Sequence, residues 1–65
     1  MNWDQIAGQW KQMTGHMKSE WGELTDDDLT EAEGDRERLE GKIQERYGKT
    51  KEEAREAVDS FMAKH

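Results

Sequence analysis

The chain has 65 residues, of which 40% are charged and 31% hydrophobic, with a formal net charge of −6, no cysteine and no proline. That length supports one domain at most, burying only about 60% of the surface its unfolded form exposes, and without cysteine no disulfide can staple it. The negative balance argues against non-specific nucleic-acid binding and against anionic membrane surfaces, both of which require a basic patch.

Asn2 is the N-cap of the first predicted helix, and Gln5 completes a capping box with it. Apolar residues then fall at Trp3, Ile6, Trp10, Met13, Met17, Trp21 and Leu24, in steps of three and four that share one helical face. The spacing predicts one helix over 3–21. Gly22 would stop it in the left-handed conformation that glycine enters without steric cost. Gly8 and Gly15 lie inside this helix and each costs about 1 kcal/mol relative to alanine. They either sit on a solvent face or let a second backbone approach closely.

Thr25 to Asp28 resembles a capping box, with Asp28 in place of the usual Glu or Gln, and its three aspartates suit the positive end of a helix dipole. Apolar residues follow at Leu29, Ala32, Leu39, Ile43 and Tyr47. Because Ala32 and Leu39 are seven apart, the stripe keeps its phase across Gly34. The pattern predicts a single helix over 26–47, kinked or broken at Gly34, with two shorter helices meeting there as the alternative. Gly48 ends this element. Thr50 to Glu53 forms a full capping box, and Ala54, Ala57, Val58, Phe61 and Met62 give a last amphipathic helix over 51–63.

One motif occurs twice. Gly8, Gly15 and Gly22 recur 26 positions later as Gly34, Gly41 and Gly48, and Met13, Met17 and Trp21 as Leu39, Ile43 and Tyr47. This recurrence favours close packing as the role of the interior glycines. It predicts an all-α fold, a small bundle of three to four helices from two duplicated helical hairpins in one domain over 1–65. Charge is uneven along it: residues 25–34 carry five acids and no base. The first residues have neither the basic start nor the apolar stretch of a signal peptide, no run approaches a membrane span, and the expected location is cytoplasmic.

Candidate chemistry is sparse. The acidic stretch Asp26, Asp27, Asp28, Glu31, Glu33 and Asp35 lacks the spacing of a calcium loop, and helix capping accounts for its aspartates. His16 and Glu20 lie one turn apart and could offer two metal ligands, but no second pair completes a set. No nucleophile motif surrounds the Ser and Thr residues, and the chain is too short for a water-excluding pocket of ordinary size. The expectation is no catalytic residue, no cofactor and no metal. The tryptophan spacing indicates core first. Trp3 and Trp10, near the free end of the first helix, are the candidates for an exposed partner face. Glycine-bounded helix pairs also resemble helix-hairpin-helix modules, which hold a DNA phosphate on backbone amides. The first hairpin here is acidic, so only the second could contact phosphate, through Gly48, Lys49 and Lys51.

The stretches WKQMTGHMKSEWGELTDDDL, from Trp10 to Leu29, and EGDRERLEGKIQERYG, from Glu33 to Gly48, resemble the CsbD-like family of small bacterial proteins. The similarity covers nearly the whole chain. After Lys51 only the amphipathic pattern remains and no family motif is recognisable. The resemblance implies a small helical bundle, with a SAM-like pair of packed hairpins as the arrangement it suggests. It also implies a cytoplasmic location and induction in the general stress response, and it carries no catalytic residues.

Three functions compete. The first is a non-enzymatic stress-response interaction module with an unknown protein partner, monomeric or weakly homodimeric. The second is a hydrophilin-like protectant acting by bulk hydration, which a mean hydropathy of −1.36 and six glycines favour. The third is weak nucleic-acid binding at the Gly48 hairpin.

Overall fold

The computed structural model describes residues 1–65 and is all-helical. Its five helices are α1 (Trp3–Gly8), α2 (Trp10–Glu20), α3 (Asp26–Glu31), α4 (Arg36–Tyr47) and α5 (Lys51–Lys64). The count exceeds the expected three to four because both long predicted helices are interrupted, the first at Gln9 and the second at Gly34.

Asn2 caps α1 as the sequence implies: its Oδ1 accepts the Gln5 N–H at 2.8 Å, and Gln5 Oε1 accepts the Asn2 N–H at 3.0 Å. The helix then bends at Gln9 (φ −119°, ψ 32°). Gly8 is the weak point, since glycine has the poorest helix propensity after proline. The bend lets Trp3 and Trp10 meet edge to face with centroids 5.8 Å apart. Seven residues along a straight helix axis would span about 10.5 Å. α2 ends at Trp21, but Gly22 does not take a left-handed backbone. Instead the Leu24 N–H closes a turn on the Trp21 carbonyl at 3.0 Å, which sends both apolar side chains inward.

Gly34 (φ +73°) turns the chain between α3 and α4, so the element over 26–47 is broken at the glycine where a kink or break was expected, and it forms two separate helices. Asp35 then caps α4, accepting the Arg38 N–H at 3.2 Å. A left-handed glycine followed by an aspartate cap is a stop and a start in adjacent residues. Gly48 (φ +65°) ends α4 as expected, and the Thr50–Glu53 box opens α5.

The helices enclose one core of Ile6, Trp10, Met13, Met17, Trp21, Leu24, Leu29, Ala32, Leu39, Ile43, Ala54, Val58 and Phe61. It contains every residue of the first apolar stripe except Trp3 and every residue of the second except Tyr47, whose hydroxyl instead accepts the Glu23 N–H at 3.1 Å. α4 packs on α3 and α5, and α1 on α2. Close backbone approach is not the role of the interior glycines. A Cβ built on Gly8, Gly15 or Gly41 meets nothing within 4 Å, so these positions face open space.

Candidate interaction surface

The structure separates the two candidate tryptophans. Trp10 is only 6% exposed, and its indole Nε1–H donates to the Leu29 carbonyl at 2.9 Å. It is a core residue with a satisfied polar edge, not the exposed face expected of it. Trp3 is half-buried and donates to the Gly34 carbonyl at 3.1 Å; with Met1, Ala57 and Met62 it forms the partly covered margin of the core.

The basic turn offers less than its sequence suggests. The Gly48 N–H already donates to the Gln44 carbonyl at 2.8 Å, and the Thr50 N–H donates to Glu53 Oε1 at 2.8 Å. That backbone bond and the Thr50 hydroxyl hold the Glu53 carboxyl below its ordinary range. The carboxylate therefore stands where an incoming phosphate would seek amides. Lys49 and Lys51 remain exposed and make no ion pair.

The acidic stretch does not converge on one point. Asp28 turns inward, 3% exposed, and accepts a fork of two hydrogen bonds from Arg46, Nε at 2.9 Å and Nη2 at 3.1 Å. It also accepts the Thr25 N–H at 3.1 Å. The Arg46 hydrogen bonds first, then that backbone bond, outweigh desolvation and lower its pKa from 3.8 to about 2. Asp26 pairs with Lys18, and Glu31 with Lys42. At the other end of α2, Glu20 is taken by Lys64 at 3.0 Å, while the His16 ring lies 4.8 Å from that of His65. His16 and Glu20 thus face different partners.

Two open grooves stand at corresponding places. The first, about 350 Å³ between α2 and α3, is lined by Trp10, Lys11, Thr14, Leu29 and Glu33, together with Asp26 and Thr30. The second, about 480 Å³ between α4 and α5, is lined by Arg36, Glu37, Glu40, Arg55 and Asp59, together with Lys51. The five residues named first in each case are 26 positions apart, one for one. One hydrogen bond repeats as well: Trp10 donates to the carbonyl of residue 29, and Arg36 Nη2 to that of residue 55 at 3.3 Å, each spanning 19 residues.

The grooves differ in charge compensation. Arg36 fills the second, with Nε 2.7 Å from Glu40 Oε2 and Nη2 2.7 Å from Asp59 Oδ1. Burial opposes its charge, but the bonds to Asp59 and Glu40 prevail and raise its pKa. In the first groove Trp10 takes the place of Arg36 and Thr14 that of Glu40. Glu33, the counterpart of Asp59, is exposed and has no ion-pair partner. Sequence reasoning passed over Arg36, Asp59 and Glu40, and took Glu33 only as part of the acidic stretch. The 26-residue offset was the available signal, because it aligns each groove residue with its counterpart.

These features define a small all-helical protein with one apolar core and a surface of open, charged grooves; no helix is long and apolar enough to cross a membrane. The chain belongs to the CsbD-like family, whose model matches residues 4–56. It is 60% identical over 62 residues to a UPF0337 protein of Bordetella pertussis, covering 95% of this chain and 94% of the relative. It is 54% identical over 65 residues to the UPF0337 protein YjbJ of Escherichia coli O6:H1, covering all of this chain and 94% of that one. With a UPF0337 protein of Protochlamydia amoebophila the identity is 51% over 65 residues, covering all of this chain and 98% of the relative. No solved structure matches the chain.

Proposed function

We propose that the protein is a folded, non-enzymatic interaction module that acts in the cytoplasm during stress. The carrying observation is that both buried acids hold helices together: Asp28 joins α3 to α4, and Glu40 holds Arg36, which reaches α5. No buried side-chain nitrogen or oxygen lacks a partner. Catalytic groups instead keep perturbed, available protons in a cleft. The molecule measures 27 × 23 × 19 Å, and a helix with its side chains is about 10 Å thick. Its concavities are accordingly grooves between neighbouring helices, suited to a partner's side chains. The stress assignment follows the family resemblance. The two hairpins are read as a duplicated unit in a SAM-like arrangement, and the molecule as a monomer or weak homodimer.

Mapping amide shifts of the labelled pure protein, alone and in extract from stressed cells, tests this reading. Dispersed resonances with changes confined to one face are expected. Narrow dispersion would favour the protectant that the polar composition suggests, and a dispersed spectrum unchanged by extract would reject the module.

A further inference from the structure

We propose that the groove between α2 and α3 receives the guanidinium of an arginine presented on a partner's basic peptide segment. The inference rests on the interaction-module reading and specifies its partner. The groove between α4 and α5 is an internal template, because there the chain's own Arg36 lies between Glu40 and Asp59 and donates to the Arg55 carbonyl. At the corresponding place the first groove keeps the carboxylate, as Glu33, but has no guanidinium. Trp10 supplies only the inner hydrogen bond, to the Leu29 carbonyl.

The chemistry left over matches the missing cation. Glu33 can accept a forked pair of N–H bonds. The Thr14 hydroxyl donates to the Lys11 carbonyl at 2.9 Å, which leaves its oxygen free to accept. Trp10 and Leu29 close the floor of the groove but are themselves only 6% and 1% exposed, so a guanidinium is preferred over an ammonium there for the forked bond it offers Glu33 rather than for apolar contact. Of the five acids in residues 25–34, Asp26 and Glu33 line the groove, and because Asp26 is paired with Lys18, Glu33 is its uncompensated negative charge. Lys11 on the rim is the one opposing charge, and it forms no ion pair with Glu33.

The test is a titration of the full-length labelled protein at low salt with a short capped arginine peptide, its lysine counterpart and free arginine amide. The arginine peptide should shift the Trp10 indole N–H and the Thr14 and Glu33 amides saturably, more tightly than either comparison ligand. Glu33→Gln should weaken it about threefold or more, as loss of an exposed charge pair does, and Lys11→Gln should strengthen it. Glu56→Gln, the same charge change on an exposed, unpaired residue of α5, should leave it unchanged. Equal weakening by Glu33→Gln and Glu56→Gln, shifts spread over all acidic residues, or no shift would overturn the proposal. Equal binding of arginine amide would overturn the peptide as its source. A protein that responds to cell extract on another face but ignores the peptide loses this groove and remains a module.

Discussion

Asp28 shows how one residue can change role between sequence and structure. In sequence it is the third of three aspartates in a helix cap; in the fold it is also the buried acceptor of the Arg46 fork. Removing its charge leaves Arg46 without its partner and weakens the Thr25 cap, so Asp28→Asn should cost about 2 kcal/mol in urea unfolding. Because folding lowers this pKa from 3.8 to about 2, its contribution is complete above pH 3.8 and is lost as pH falls through about 2. The stability of the wild type should therefore decline across that acid window, and that of Asp28→Asn should decline less. The glycines divide by backbone and by space. Gly15→Ala and Gly41→Ala, on helical backbone with open space at Cβ, should each gain about 0.5–1 kcal/mol. Gly48→Ala, at φ +65°, should lose about 1 kcal/mol by the same assay.

At the scale of elements, the capping boxes at Asn2, Thr25 and Thr50 were legible in the sequence, because each depends on residues three apart. The apolar stripes were legible too, since period fixes which face is buried. The interruption at Gly34 was legible as a kink or break, with its geometry open; the one at Gln9 was not. A hydrophobic stripe that keeps its phase says nothing about whether the axis bends, and both bends depend on distant contacts. Trp3 and Trp10 donate to carbonyls at Gly34 and Leu29, 31 and 19 residues away. The groove pairings were hidden for the same reason: Arg36 and Asp59 are 23 residues apart, and only packing of α4 on α5 joins them. Trp10→Phe keeps a ring in the core but leaves the Leu29 carbonyl without its donor. It should cost about 1–2 kcal/mol, or roughly 4–16 °C in Tm for a domain of this size, read by thermal melting.

For the whole molecule, polarity and order coexist through placement. A mean hydropathy of −1.36 describes a surface crowded with charge, while thirteen apolar side chains join all five helices in one core. A chain acting as a disordered protectant would have no need of three matched capping boxes, a bidentate ion pair to a buried aspartate or left-handed glycines at two chain reversals. The central claim is thus that this acidic chain works as a folded body with a defined surface. Native-state amide exchange on the pure protein tests it most directly. The amides of Met17, Leu39, Ile43 and Val58, all in the core, should be protected together and exchange only through a shared, cooperative opening. Exchange of these four at unprotected-peptide rates would contradict the account.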